Sequence, residues 1–99
     1  MSDFKFQWDQ ANINHLADHG ITPSEAEQVF SRFFVERVTD LVDGEECYQA
    51  LGQTDKGRYL LIAFTERGEY IRPITGWDMK LEEYAEYVQR LIERLAFPE

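Results

Sequence analysis

Residues 58–65 read RYLLIAFT, and the central part of this run, residues 59–64, is apolar without alternation. A strand that is covered on both faces has this pattern, whereas a half-exposed strand alternates apolar and polar residues. The turn sequence Asp55, Lys56, Gly57 joins the run to residues 47–54, which also have strand character. The sequence therefore predicts that residues 58–65 form the central strand of an antiparallel sheet.

The segments on either side of this strand complete an α+β pattern. Further strands are predicted at 34–39, 47–54 and 70–75, and Pro73 requires the last of these to be an edge strand or to be bulged. A short strand at 4–7 precedes a helix capped by Asp9 that ends at Gly20, and Thr22 and Glu25 form a capping box for a second helix. We predict two N-terminal helices, an antiparallel sheet of three to four strands, and a C-terminal helix that packs on the sheet.

The C-terminal helix is predicted to run from residue 78 or 79 to residue 95, with Asp78 as its N-cap. Its apolar positions repeat at helical spacing and form one stripe, which we expect to face the sheet. The stripe consists of Leu81, Tyr84, Val88, Leu91, Ile92 and Leu95.

Length and composition indicate one domain, residues 1–99, without a membrane span or signal peptide. We therefore expect a cytoplasmic protein. The single cysteine, Cys47, excludes an internal disulfide and is expected to be a small core residue. Nineteen acidic against ten basic residues give a net charge of -9, which disfavours a broad nucleic-acid surface but permits a local basic patch. We expect no direct binding to DNA.

Two histidines, His15 and His19, lie one helical turn apart with Asn12 on the same face. They could bind a metal or exchange a proton, but the third ligand that a zinc site needs is absent, so no metal or other cofactor is predicted. His19 could instead satisfy carbonyl groups at the helix end.

Several other charged and aromatic residues each allow two interpretations. Arg72 and Glu66 could form a cross-strand ion pair, and Arg58 could pair with an acid of the preceding turn. Tyr84 could pack in the core or act as an acid, and Trp77 could be an exposed binding residue or fold over the sheet. Trp8 is expected to anchor the first helix.

Motifs along most of the chain resemble the BrnT-like family of small toxins. In the N-terminal half they are Phe6-x-Trp8-Asp9, Asn12, His15, His19-Gly20-Ile21, Glu25-Ala26 and Val29-Phe30. In the C-terminal half they are Gly52-x-Thr54-x-x-Gly57-Arg58-Tyr59-Leu60, Phe64, Arg72, Ile74-Thr75, Asp78-Met79 and Tyr84. Each motif is weak alone, and their shared order and spacing carry the resemblance.

This resemblance implies a RelE-like fold and metal-independent cleavage of RNA by a toxin that an antitoxin neutralises. Such cleavage needs a base for the ribose 2'-hydroxyl, a cation for the charge that develops on the phosphate, and an acid for the leaving oxygen. The candidate catalytic residues are Arg58, Arg67, Arg72, Glu66, His19 and Tyr84.

The chain departs from the family pattern at Trp77, where related sequences commonly carry an arginine in a run resembling ITARDM. Tryptophan can stack on a base but cannot neutralise phosphate. Two functions are therefore predicted as alternatives. The chain is a ribonuclease toxin with an antitoxin and RNA as partners, or it is a non-enzymatic interaction module on the same fold that binds a protein through Trp77 and Asp78.

Overall fold

A computed structural model describes residues 4–39 and 44–97 of the chain. In chain order these form β1 Lys5–Phe6, α1 Gln10–Ala17, α2 Pro23–Phe30, β2 Val35–Val38, β3 Tyr48–Gln53, β4 Tyr59–Arg67, β5 Tyr70–Asp78 and α3 Leu81–Ala96. The predicted α+β class is confirmed. No helix within these two ranges is long and apolar enough to cross a membrane.

The strands form one sheet in the order β1-β5-β4-β3-β2. The prediction that residues 58–65 lie at its centre is confirmed by β4. The predicted sheet of three to four antiparallel strands is confirmed for β2 to β5, but within the described ranges a fifth strand, β1, joins the sheet and runs parallel to β5. A two-residue strand carries too little pattern to reveal its partner, which lies more than 60 residues away in sequence.

Strand β5 is bulged next to Pro73, as one of the two predicted alternatives required. Ala63 of β4 is opposite Thr75 while Phe64 is opposite Pro73, so that Ile74 is the extra residue. β5 then continues to Trp77 and Asp78, which are opposite Leu61 and Leu60. This extension overturns the prediction that Asp78 is the N-cap of the last helix, because sheet pairing holds Asp78 extended and α3 begins only after Lys80.

The two N-terminal helices follow their sequence signals closely. Asp9 accepts from the Asn12 backbone and Thr22 from the Glu25 backbone, and each cap has the reciprocal side-chain bond of a capping box. α1 ends at Ala17, and a turn leads to Gly20, whose φ of 70° lies in the region that favours glycine.

Two apolar clusters lie on opposite faces of the sheet. The larger joins α1 and α2 to residues of β3, β4 and β5, with Leu16, Val29, Phe30, Leu60 and Ile62 among its members. The smaller cluster joins α3 to the other face through Val35, Leu51, Leu61 and Tyr87. Both faces of the central strand are therefore covered, which explains its continuous apolar sequence.

Side chains at the start of the chain fix α1 against the sheet. The buried Asn12 amide donates to the carbonyl groups of Gln7 and Pro73, at 3.0 and 2.8 Å. Trp8 packs against the larger cluster that includes Leu16 of α1, and its Nε1 donates to Glu27 of α2 at 2.8 Å. Cys47 is buried, as expected for a core residue.

Candidate functional site

The candidate catalytic residues divide between the two ends of strand β4. Arg58 immediately precedes this strand and Arg67 is its last residue, and nine residues of extended chain separate them by about 30 Å. Arg72 is opposite Thr65 and therefore lies near the Arg67 end. The three arginines do not meet in one patch.

Arg58 is held by acceptors on three sides. Its Nε and Nη2 donate to the two carboxylate oxygens of Asp78 at 2.8 and 3.1 Å. Its Nη1 donates to the Gly20 carbonyl at 2.7 Å and to both Glu25 oxygens at 3.3 Å, and Nη2 also reaches the His19 carbonyl at 3.3 Å. Arg58 therefore joins the turn after α1, the start of α2 and the end of β5.

The protonation states at this end follow from these bonds. The hydrogen bond from Arg58 holds the pKa of Asp78 below its usual range. The Thr22 backbone N–H, followed by Arg58, lowers the pKa of Glu25. Asp78, with Glu25 as a second acceptor, raises the pKa of Arg58. All three groups are charged at neutral pH. The prediction that Arg58 pairs with an acid of the preceding turn is wrong, because its partners come from β5 and α2.

Trp77 immediately precedes Asp78, the partner of Arg58, and is only partly buried. One part of its indole packs against the smaller core cluster, and Nε1 donates to Glu83 at 3.3 Å. The His19 ring centre lies 6.4 Å from that of the indole, and Lys80 Nζ lies 5.6 Å from the indole centre. Each of the two predicted alternatives for Trp77 holds in part, because its indole folds over the sheet and still lies near the exposed side chains of His19 and Lys80.

The side chains of His19 and Lys80 are exposed and have few partners. Within residues 4–39 and 44–97, the His19 imidazole has no hydrogen-bond partner and Lys80 has no carboxylate within ion-pair distance. The carbonyls near the helix end are satisfied by Arg58 and not by the His19 ring. Across the described ranges no group of three or more His, Cys, Asp or Glu residues could hold a metal ion.

Tyr84 lies one turn into α3, and its backbone N–H donates to the Lys80 carbonyl at 2.9 Å. Its side chain is 40% exposed, and its ring meets that of Tyr59 edge to face with centroids 4.9 Å apart. Tyr84 is therefore partly packed and partly accessible beside the same end of the sheet.

The candidates at the Arg67 end are occupied by other partners. Arg67 donates two hydrogen bonds of 2.9 Å to Glu45, and Arg72 pairs with Asp9 at 2.8 Å. The hydrogen bond from Arg72 lowers the pKa of Asp9. The predicted ion pair between Arg72 and Glu66 is wrong, because Glu66 is opposite Ile71 and is exposed while the start of α1 supplies the partner of Arg72.

We call the group at the Arg58 end the Arg58 cluster. It consists of His19, Glu25, Arg58, Trp77, Asp78, Lys80 and Glu83. Two cations and three carboxylates belong to it, so the cluster has a formal charge of -1 when His19 is neutral. It nevertheless presents an exposed imidazole and an exposed ammonium, each near the same aromatic ring. This arrangement can exchange a proton and attract a phosphate group.

Lys80 was not among the candidates from sequence. The signal that could have identified it is its position three residues after Trp77, at the exit of the sheet. Its side-chain direction depends on where β5 ends, and the sequence placed that end too early.

Two helices on one face of a mixed sheet and a third helix on the other face leave a histidine-lysine-tryptophan group at one end of the sheet. The sequence model of one family, described as ribonuclease toxin, BrnT, of type II toxin-antitoxin system, matches residues 8–83. The match covers 76 of 99 residues and includes both ends of β4, so the chain belongs to this family. No curated protein matches the chain.

Proposed function

We propose that the chain is the toxin of a type II toxin-antitoxin pair and that it cleaves RNA at the Arg58 cluster without a metal ion. The proposal extends to a RelE-like fold, a single domain over residues 1–99, and action in the cytoplasm on RNA and not on DNA. The membership of the family supports the toxin and ribonuclease parts of this proposal. The observation that carries the location is the grouping of His19, Lys80 and Trp77.

The residue types at this end suit the three tasks of RNA cleavage. His19 takes the proton from the ribose 2'-hydroxyl, because histidine exchanges protons near neutral pH. Lys80 holds the charge that develops on the phosphate, and Trp77 offers a ring beside a nucleobase. Tyr84 is partly exposed, and its ring packs on that of Tyr59 beside this end of the sheet, which makes it the candidate acid.

In this proposal Arg58 is a positioning residue. Its N–H groups are directed at two carboxylates and two carbonyls, so it cannot bind phosphate without giving up one of these partners. By holding the carbonyls of His19 and Gly20, it fixes the turn that carries the imidazole. Glu66, Arg67 and Arg72 remain as a second candidate group at the opposite end of β4.

The test is cleavage of a single-stranded RNA by the purified chain with EDTA present. His19→Ala is expected to lower the cleavage rate by about a hundredfold or more, the usual contribution of a general base. His15→Ala is the matched control, since His15 is an exposed histidine on α1 outside the cluster. Equal rates for the two variants, or no cleavage by the unchanged protein, would contradict the proposal.

A second candidate function is a protein-binding module that has lost nuclease activity. The observation that favours it is that all three candidate arginines are paired with carboxylates, namely Asp78 and Glu25, Glu45, and Asp9. In this alternative the Arg58 cluster binds a protein through Trp77 and Asp78. Intact RNA together with loss of partner binding in Trp77→Ala would favour this alternative over the ribonuclease.

A further inference from the structure

Helix α3 has apolar residues on more of its circumference than the sheet covers. Its one fully buried side chain is Tyr87, which contacts the cluster of Val35, Leu51 and Leu61 on the sheet. Val88 and Leu91 pack at the edge of this contact. The prediction that the last helix packs on the sheet is confirmed, and only part of its apolar stripe makes this contact.

The uncovered part of the stripe is a regular row. It consists of Leu81, Ala85, Val88, Ile92 and Leu95, with successive spacings of 4, 3, 4 and 3 residues. At about 100° per residue, the centre of this row points about 120° away from Tyr87. We call this row the outer seam of α3.

The outer seam is open to solvent. Leu81, Ile92 and Leu95 are 82%, 58% and 71% exposed, and Val88 is partly covered because it borders the sheet contact. Spacings that alternate between three and four residues are those of a helix that packs against another helix along its length. A continuous apolar row of this kind indicates a binding surface, whereas scattered exposed apolar residues do not.

The polar edge of the seam is acidic. Glu82 and Glu93 flank the row on the side away from the sheet, and neither has an ion pair with the residues that the structure describes. The other two helix carboxylates nearest the sheet, Glu83 and Glu86, already pair with Arg37 of β2. With a chain charge of -9, the seam is complementary to an apolar row that has basic residues beside it.

We propose that the outer seam binds an amphipathic helix of the antitoxin with lysine or arginine along one edge. This inference rests on the proposed function, because it takes the toxin-antitoxin pair as given. A second copy of the chain would place acidic edges near one another, which disfavours it as the occupant. The seam begins at Leu81, directly after Lys80, so a bound helix would end beside the Arg58 cluster and restrict access of RNA to it.

The experiment compares two synthetic helical peptides of about three heptads with the same leucine seam. One carries lysine and the other glutamate at the flanking positions, and the dissociation constant of each with the full chain is measured by calorimetry. The lysine peptide is expected to bind at least about tenfold more tightly, a difference that corresponds to a few favourable charge contacts. Equal binding of both peptides, or binding of neither, would overturn the proposal.

Variants of the chain locate the binding surface. Ile92→Glu is expected to weaken binding of the lysine peptide by about tenfold or more without loss of the fold, because Ile92 is exposed. Arg90→Ala, on the exposed side of α3 opposite the seam, is the control and should leave the dissociation constant unchanged. Unchanged binding by Ile92→Glu would place the peptide elsewhere and overturn the proposal.

Two further outcomes distinguish the docking of an antitoxin helix from self-association of the chain and from its ribonuclease activity. If the chain alone is a dimer in light scattering and Ile92→Glu makes it monomeric, the occupant is a second copy and the proposal fails. No RNA enters the peptide experiment, so a chain that binds the lysine peptide and leaves RNA intact loses only its ribonuclease assignment. A chain that cleaves RNA and binds neither peptide loses only the docking proposal.

Discussion

Arg58 and Asp78 form a two-bond ion pair between the start of β4 and the end of β5, with Nε to Oδ1 at 2.8 Å and Nη2 to Oδ2 at 3.1 Å. The same guanidinium reaches the carbonyls of His19 and Gly20. The pair therefore connects the sheet to the turn that presents the exposed imidazole. The position of His19 depends on a contact between segments far apart in sequence.

Replacement of Arg58 by lysine tests this connection. Lysine keeps the charge but cannot bond two carboxylate oxygens and two carbonyls in the same plane, so Arg58→Lys is expected to lower the free energy of unfolding by about 1–2 kcal/mol. The measurement is urea denaturation at neutral pH. Arg90→Lys, an exposed arginine on α3, should change it by less than about 0.5 kcal/mol. Similar values for the two variants would contradict the connecting role of Arg58.

The carboxylates of this end give a dependence of stability on pH. Arg58 lowers the pKa of Asp78 and, with the Thr22 backbone, that of Glu25, so their stabilisation is complete above the pKa values of the unfolded chain. This stabilisation is lost as the pH falls through the lowered pKa values that the two carboxylates have in the folded chain. The free energy of unfolding should therefore fall below about pH 4, near the ordinary carboxyl range.

Asp78→Asn removes one of the two groups from this titration. The variant is expected to be less stable than the unchanged protein at neutral pH, and the difference should shrink as the pH is lowered, because the protonated Asp78 no longer favours the ion pair. Denaturation curves between neutral and acidic pH measure the difference. A constant difference across that range would show that the ion pair does not titrate in this way.

Gly52 tests the close packing of α2 on the sheet. A Cβ at this position would lie 2.8 Å from Cγ1 of Val29 and 3.3 Å from Cβ of Phe34. Gly52→Ala is therefore expected to lower the free energy of unfolding by about 1–3 kcal/mol. In the double variant with Val29→Ala, the loss of unfolding free energy should be smaller than the sum of the losses in the two single variants, because Cγ1 of Val29 is removed. Additive losses of unfolding free energy would contradict the contact between Gly52 and Val29.

Trp77→Arg tests whether the departure from the family pattern limits activity. A guanidinium at this position would lie near Glu83, His19 and Lys80 and would add a cation where phosphate is proposed to bind. The rate of RNA cleavage with EDTA present is expected to rise by about tenfold, with Trp77→Phe as the control that adds no charge. A fall in rate with Trp77→Arg would contradict this prediction and would show that the ring proposed to lie beside a nucleobase contributes more than an added cation.

Local signals in the sequence predicted much of the fold. The capping residues Asp9 and Thr22 and the apolar run of β4 were correctly placed, and the bulge beside Pro73 was one of two predicted alternatives, because each depends on residues within a few positions along the chain. The sequence did not predict that β1 pairs with β5 or that β5 ends at Asp78, because strand pairing depends on distant segments.

The candidate site was only partly predictable for the same reason. His19, Arg58, Trp77 and Asp78 were named from sequence, and the structure brings them to one end of the sheet. Their grouping could not be predicted, because it depends on an arginine that joins three elements. The exposure of the outer seam of α3 could not be predicted, because periodicity shows that a helix has an apolar side but not which part of that side the sheet covers.

The two tryptophans can report where RNA binds. Trp77 belongs to the Arg58 cluster, whereas Trp8 precedes Asp9, the partner of Arg72 near the opposite end of β4. A titration with RNA that carries 2'-O-methyl groups, and so cannot be cleaved through the 2'-hydroxyl, is followed by the two indole N–H resonances in a ¹⁵N-labelled sample. Trp77→Phe identifies which resonance is which. The resonance of Trp77 is predicted to shift while that of Trp8 stays in place, and a shift of Trp8 alone, or of neither, would contradict an RNA site at the Arg58 cluster.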